Sequence, residues 1–374
     1  NVKRNVKAIV VGHAHLDHVG AVPYVANKFN APVICSPYTA EVLKNILKDD
    51  KIRINNDIKT LNLNSFYKIS ENIKIEFIHI THSVPQAALI AIHTDYGIIL
   101  YANDFKFDLY PVLGKKPNFK RLEELGKEGI IASVVESTYA SDARKMPSES
   151  VAREMLKDVL LGTDNKDNLI IVTTFSSHIA RLKSIIEFGQ KLNRKIIFLG
   201  RSLAKYVKAA ENIGIVDFSK DVEIVKYGRQ IERMLKKVDK DREKYLLIVT
   251  GHQGEPKSVL YKIAKGEFEF DLYPEDSVVF SCRTIPTPTN IENRDALENE
   301  LKQTGVRIFK DIHQSGHAAR EDLRDFINLV KPKNIIPAHG TKEMRDALAG
   351  LCTEMGYKTG KNIFLIKDGQ KIEL

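Results

Sequence analysis

Gly12-His13-Ala14-His15-Leu16-Asp17-His18 follows directly on the apolar run Ala8-Ile9-Val10-Val11. That run reads as a short buried strand, Ile9 to Val11, so the motif occupies a loop at a strand end. A loop can turn successive side chains towards one point, which a straight strand or helix cannot do. Three imidazoles and one carboxylate within six residues suit Zn2+, which takes neutral His nitrogens and carboxylate oxygens. The competing reading is a surface loop that happens to be rich in histidine, a rare accident with 11 His in 374 residues.

One such loop rarely completes a site, and other metal-ligating residue types also stand at strand ends. His82 follows the alternating stretch Ile73 to Ile80. Asp104 follows Gly97 to Tyr101, the second arm of a hairpin whose first arm is Ala88 to His93 and whose turn is Thr94-Asp95-Tyr96. His339 comes just after Ile335-Ile336-Pro337-Ala338. Each alone reads as a solvated or satisfied residue, but together they occupy the rim to which a sheet delivers ligands. His79 and His93 lie within strands and read as structural.

The texture of the chain divides it. Up to about residue 150, strands alternate with short helices: a helix over Gly20 to Phe29, a strand over Ala31 to Cys35, a helix over Tyr38 to Leu47 and a strand over Ile130 to Glu136. Ser148 then caps a helix to Leu161. A strand–helix rhythm follows through Leu169 to Thr174, Ile179 to Leu192, Lys195 to Leu199, Leu203 to Asn212, Tyr245 to Thr250 and Ser277 to Phe280. A helix over Asn293 to Gln303 and a strand over Val306 to Lys310 complete it, and that rhythm predicts a parallel sheet flanked by helices. After Ile312 the pattern returns to short strands and loops, ending in a hairpin of Ile363 to Ile366 and Lys371 to Leu374. The expected domains are 1–150, an inserted 151–318, and 319–374 as the last part of the first.

These residues resemble the metallo-β-lactamase superfamily: H-x-H-x-D-H, then Thr81-His82-Ser83, Asp104, and a histidine after a late strand. The chain is similar to the nucleic-acid-processing β-CASP branch as well. Val135-Glu136-Ser137-Thr138 resembles its acidic motif A, His313-Gln314-Ser315-Gly316-His317-Ala318 its motif B, and Pro337-Ala338-His339-Gly340 its motif C. Within the branch, three stretches resemble the RNase J family: Asn103-Asp104-Phe105-Lys106-Phe107-Asp108, Thr174-Phe175-Ser176-Ser177-His178 and Thr250-Gly251-His252-Gln253-Gly254-Glu255-Pro256. The pattern departs at Asn103, where the family has Gly, at His252, where it has Ser, and at Glu136, more often Asp.

The resemblance implies an α/β metallo-β-lactamase αββα sandwich with an inserted β-CASP domain. It also implies strands ahead of the histidine motif that residues 1 to 7 cannot supply, so the expectation is an N-terminally truncated, short archaeal-like form. By the same resemblance two Zn2+ per chain are held, one by His13, His15 and His82 and the other by Asp17, His18 and His339, with Asp104 bridging. The catalytic residues implied are His317, Glu136 and Asp17. Substrate phosphate contacts are expected from His313, Ser315 and Gly316, and from Ser177 and His178 where a strand enters a helix.

Composition bounds the rest. With 43% hydrophobic and 28% charged residues the chain is globular in type, and no apolar run is long enough to span a bilayer. The net charge of +9 favours a polyanion only weakly. Three distant cysteines, Cys35, Cys282 and Cys352, argue for a reducing, cytoplasmic setting. The function expected is a zinc-dependent ribonuclease on single-stranded RNA, mainly a 5′-to-3′ exonuclease with endonuclease activity as a second mode. No membrane is involved, and a homodimer is admitted. Two alternatives stand beside it: a β-CASP endonuclease of the cleavage and polyadenylation specificity factor type, and a catalytically inactive RNA-binding paralogue. The motif C histidine disfavours a DNA-repair nuclease of the branch, and the large insertion disfavours a small-molecule lactamase.

Overall fold

Before residue 148 the strands are β1 (Ile9–Val11), β2 (Val33–Cys35), β3 (Ile58–Thr60), β4 (Ser65–Lys68), β5 (Ile73–His79), β6 (Ala88–Thr94), β7 (Gly97–Ala102) and β8 (Ile130–Glu136). Then come β9 (Ile170–Thr173), β10 (Lys195–Leu199), β11 (Val222–Val225), β12 (Tyr245–Val249), β13 (Ser277–Phe280) and β14 (Arg307–Phe309), and finally β15 (Ile335–Ala338). The computed structural model describes residues 2–374 and falls into two units. The first comprises the chain up to Pro147 together with Ser315–Leu374, and the second is Ser148–Gln314.

The first unit contains a parallel sheet β1-β2-β3 and a mixed sheet ordered β15-β8-β7-β6-β5-β4. Side-chain alternation along the mixed sheet divides its faces. Ile75, Phe77, Ala88 and Ile90 pack with Ile34 of β2 and with Leu61, so the two sheets share one core. Ile78, Leu89, Ala91 and Leu100 point the other way, onto Leu122 and Leu125 of helix Phe119–Glu128, Phe326 and Ile327 of helix Arg320–Val330, and Leu348 and Cys352 of helix Lys342–Glu354. Each such fully buried large side chain contributes about 1.5–3 kcal/mol. Helix Pro37–Asp49 buries Tyr38, Val42, Leu43 and Ile46 beside the small sheet. The strand ends on this frame carry the histidines and carboxylates discussed below.

The second unit is a six-stranded, wholly parallel sheet ordered β11-β10-β12-β9-β13-β14. Its central strands β9 and β12 are buried along their whole length, the continuous apolar pattern that helices on both faces require.

The structure departs from the sequence reading in four places. Gly20 to Phe29 is not one helix: a turn at Leu16–Val19, another at Val22–Val25 and a 3-10 turn at Ala26–Lys28 share the stretch, and Pro23 opens the second. The region after Ile312 carries two helices, Arg320–Val330 and Lys342–Glu354, and in the first of them Leu323, Phe326, Ile327 and Val330 recur at a spacing of three and four and bury one helix face. The terminal hairpin is absent; Ile363 makes isolated bridges to Ile335 and Thr359, and Lys371, Glu373 and Leu374 are exposed with nothing to bury. The unit boundaries fall at 148 and 315 rather than 151 and 319. Ser148 belongs to the second unit as the cap of helix Glu149–Leu161, whereas Ser315 to His317 are tied by hydrogen bonds to first-unit residues.

Candidate metal centre

Backbone geometry explains how distant residues converge. β1 delivers Gly12 and His13, and the helical turn Leu16–Val19 starts inside the motif, with Asp17 and His18 in it. Thr81 and Lys106 form an antiparallel bridge, with Lys106 N–H donating to the Thr81 carbonyl at 2.8 Å, which binds the His82 loop to the Asp104 loop. His339 leaves β15 with φ +48°, a left-handed conformation that costs a non-glycine residue energy and recurs at functional sites. Ser137 Oγ donates to the Ala338 carbonyl at 2.7 Å and steadies that turn.

Two donor sets result, and they share one carboxylate. The ligand atoms of His13, His15, His82 and Asp104 lie within 4.8 Å of one another, as do those of Asp17, His18, Asp104 and His339. In the first set, His15 Nδ1 is 3.2 Å from His13 Nε2 and 3.0 Å from His82 Nε2. Asp104 Oδ2 stands 3.5 Å from His13 Nε2 and 3.7 Å from His82 Nε2. In the second, Asp104 approaches His18 Nε2 and His339 Nε2 at 3.3 Å each, and Asp17 Oδ2 lies 3.5 Å from His18 Nε2 and 3.8 Å from His339 Nε2. Asp104 is buried and Asp17 exposed at the rim.

The electrostatics favour a cation. Burial pushes His13 and His82 well below the ordinary imidazole value and His15 down to about 4, so their rings are neutral, as ligands must be. Burial opposes protonation of His18 too, but Asp104 and Asp17 outweigh it and raise the ring to about 10. A metal ion taking His18 therefore displaces a proton. His18 Nε2 and Asp104 Oδ1 are buried and have no hydrogen-bond partner among the described residues. Such atoms are costly unless something pairs with them, and an N/O donor set of this kind fits zinc.

A third group borders these two, formed by Asp104, Glu136 and His317. His317 Nδ1 is 2.7 Å from Glu136 Oε2, and Phe105 N–H donates to Glu136 Oε1 at 2.8 Å, fixing the carboxylate. Burial works against a charged His317, but Glu136 overrides it and raises the ring to about 9.

Family models match along the chain: the metallo-β-lactamase superfamily over residues 3–138, the ribonuclease J β-CASP domain over 167–299, and the Zn-dependent metallo-hydrolase RNA specificity domain over 305–365. The chain is 44% identical over 372 residues to a protein named ribonuclease J from Methanocaldococcus jannaschii, covering 99% of this chain and 83% of that one. It is 42% identical over 373 residues to ribonuclease J of Pyrococcus abyssi, covering 99% and 82%. The chain belongs to the ribonuclease J family. Ribonuclease J of Sinorhizobium meliloti is 30% identical and is covered over 64% of its length. A crystal structure of a protein of unknown function from Enterococcus faecalis V583 has a TM-score of 0.64 at 17% identity, over 98% of this chain and 81% of that one, a likeness of fold alone.

The residues expected to hold phosphates in this chain fall in both units. In the first, Ser315 Oγ accepts from His317 N–H at 3.2 Å, and His82 Nδ1 lies 2.7 Å from the Gly316 carbonyl oxygen. In the second, the His178 ring makes two contacts within the protein. Its Nδ1 accepts from Arg181 N–H at 3.3 Å, capping helix Ile179–Lys191, and its Nε2 lies 3.4 Å from Glu149 Oε2. Both ring nitrogens are thus engaged within the protein. His313 is buried at 3.4 Å from Arg181 Nη1. Ser177 is buried at the start of the same helix. His79 and His93 have structural partners, the Lys115 carbonyl at 2.9 Å and Glu76 at 3.0 Å. Sequence reasoning missed Asn103 as a neighbour of His13, and Glu149 and Arg181 as a buried pair. Only the position of Asn103 next to Asp104 hinted at the former.

Among the described residues, no helix is long and apolar enough to cross a membrane.

Proposed function

We propose that the chain hydrolyses phosphodiester bonds of single-stranded RNA in the cytoplasm with two zinc ions, mainly as a 5′-to-3′ exonuclease and with endonucleolytic cleavage as a second mode. One observation carries this reading: two donor sets of histidine and aspartate share the Asp104 carboxylate. We assign His13, His15 and His82 to one ion, Asp17, His18 and His339 to the other, and Asp104 to both. When bound, paired divalent ions clamp a phosphodiester and make water a better nucleophile.

The remaining work falls to side chains. With Nδ1 held by Glu136, His317 has Nε2 to offer, and its imidazolium donates a proton to the leaving oxygen. Glu136 fixes the orientation of the ring and stabilises its charge. Asp17 belongs to the catalytic group as well as to the second donor set. Ser315 and Gly316 in the first unit, and Ser177 and His313 in the second, are assigned to substrate phosphates, with His178 holding the helix end beside Ser177.

Elemental analysis of protein prepared with zinc should return two ions per chain; a reproducible value near zero overturns the reading. RNA labelled at the 5′ end should release labelled mononucleotides first, while 3′-labelled RNA shortens progressively. Discrete internal products from both labels would instead favour the endonuclease. Intact RNA with both metals bound would favour the inactive paralogue.

A further inference from the structure

His13 faces the first donor set through Nε2, and its other ring nitrogen turns away from that set. An imidazole that lends Nε2 to a cation carries its proton on Nδ1, and that N–H then needs an acceptor. For His82 the acceptor is the Gly316 carbonyl, 2.7 Å from its Nδ1. For His13 the neighbour is the Asn103 carboxamide, whose Nδ2 lies 3.2 Å from Nδ1. With a metal on Nε2 these would be two donors facing each other. Asn103 is only 4% exposed, and its Oδ1 has no hydrogen-bond partner. A half-turn of the amide exchanges two ends of nearly equal size and resolves both conflicts, since Oδ1 then accepts from Nδ1–H.

We propose that Asn103 is the positioning residue for His13: when the first donor set holds a metal ion, the Asn103 carboxamide oxygen accepts from His13 Nδ1 and fixes the tautomer that leaves Nε2 free to ligate. Gly12 belongs to the same arrangement. A Cβ at Gly12 would stand 2.6 Å from Asn103 Nδ2 and 3.0 Å from its Oδ1, so any side chain there would displace the amide. Asn103 does for His13 what a backbone carbonyl does for His82, and unlike a backbone carbonyl it can be removed by substitution.

The proposal rests on the metal reading above, and zinc affinity measured by competition with a chromophoric chelator separates the two. Asn103→Leu, similar in volume but unable to accept, should bind zinc about 10–100-fold more weakly at the first set. Asn103→Asp keeps an acceptor and should bind at least as tightly as the wild type. Undiminished affinity in Asn103→Leu, or an equal loss in both variants, overturns the proposal and leaves the metal site standing. A wild-type protein that takes up no zinc overturns both. An independent readout uses the wild type alone: 15N shifts of the zinc-loaded protein should show His13 protonated on Nδ1, and a ring protonated on Nε2 overturns the assignment.

Discussion

Two buried polar clusters, one in each unit, use the same residue types to opposite ends. In the second unit, Arg181 is wholly buried and pairs with both oxygens of Glu149, while Nη1 also donates to the Ser281 carbonyl at 2.9 Å and the Ile312 carbonyl at 3.1 Å. His178 closes the ring of contacts from the other side of Glu149. Positive charge meets negative charge, and donors meet acceptors. In the first unit, five imidazoles crowd one buried aspartate, no Arg or Lys among the described residues joins the two donor sets, and His18 Nε2 and Asp104 Oδ1 have charged neighbours but no hydrogen-bond partner there. The difference separates a cluster that compensates itself from one completed by an added cation. Histidine content alone does not tell them apart; buried polar atoms left without a hydrogen bond at short range do.

The largest expected effect tests the incomplete cluster. Asp104→Ala removes the only residue common to both donor sets and should abolish binding of both metals. Turnover on RNA should fall by at least about 10³-fold, since the ions contribute several kcal/mol of transition-state stabilisation. Elemental analysis and a labelled-RNA assay on the same preparation check this. Full metal content in the variant would break the comparison at its root.

Next comes His317, which borders the donor sets without belonging to either. His317→Ala should keep both metals and much of the RNA affinity while lowering turnover about 10²–10⁴-fold, the range for a positioned acid or base. Single-turnover kinetics alongside equilibrium RNA binding separate the two quantities. Wild-type turnover would remove His317 from the mechanism.

The self-compensating cluster should respond in stability. Arg181→Met strands the Glu149 carboxylate in the interior, at a cost of about 3–5 kcal/mol in denaturant unfolding. Metal content should not change. The pair also fixes a pH dependence. Burial opposes ionisation of Glu149, but Arg181 and then His178 outweigh it and hold the carboxyl well below its ordinary range. A depressed folded value means stability that is present above the unfolded pKa of about 4.3 and lost as pH falls below it. Wild-type protein should therefore lose stability in that acid window, and Arg181→Met should lose less.

Much of the first cluster was legible because strand ends mark themselves: an apolar run stops and a ligand-type residue follows, as at His13, His82, Asp104 and His339. Partners set only by tertiary packing were not. Asn103 meets His13 across 90 residues. Glu149 and Arg181 sit in helices whose sequences give no sign that these charges face inward. The helix Arg320–Val330 was missed for another reason: its apolar positions are five in eleven residues, and the charged residues ahead of and between them read as loop.

The smallest effect decides how His178 should be understood. The sequence places it at a helix N-terminus beside Ser177, where a phosphate could bind; in the fold its ring caps the helix and leans on Glu149. A capping side chain is worth about 1 kcal/mol, and asparagine is a good cap. His178→Asn should therefore change unfolding free energy by no more than about 1 kcal/mol, since the cap survives and only the Glu149 contact is lost. Because neither ring nitrogen is free for a phosphate, the ratio of decay rates on 5′-monophosphorylated and 5′-triphosphorylated RNA should stay at its wild-type value. Ser177→Ala, tested beside it, should reduce that ratio if the Ser177 hydroxyl contacts a substrate phosphate. Should His178→Asn shift the ratio while leaving stability untouched, the ring touches substrate after all, and the second cluster would join the first as a binding element.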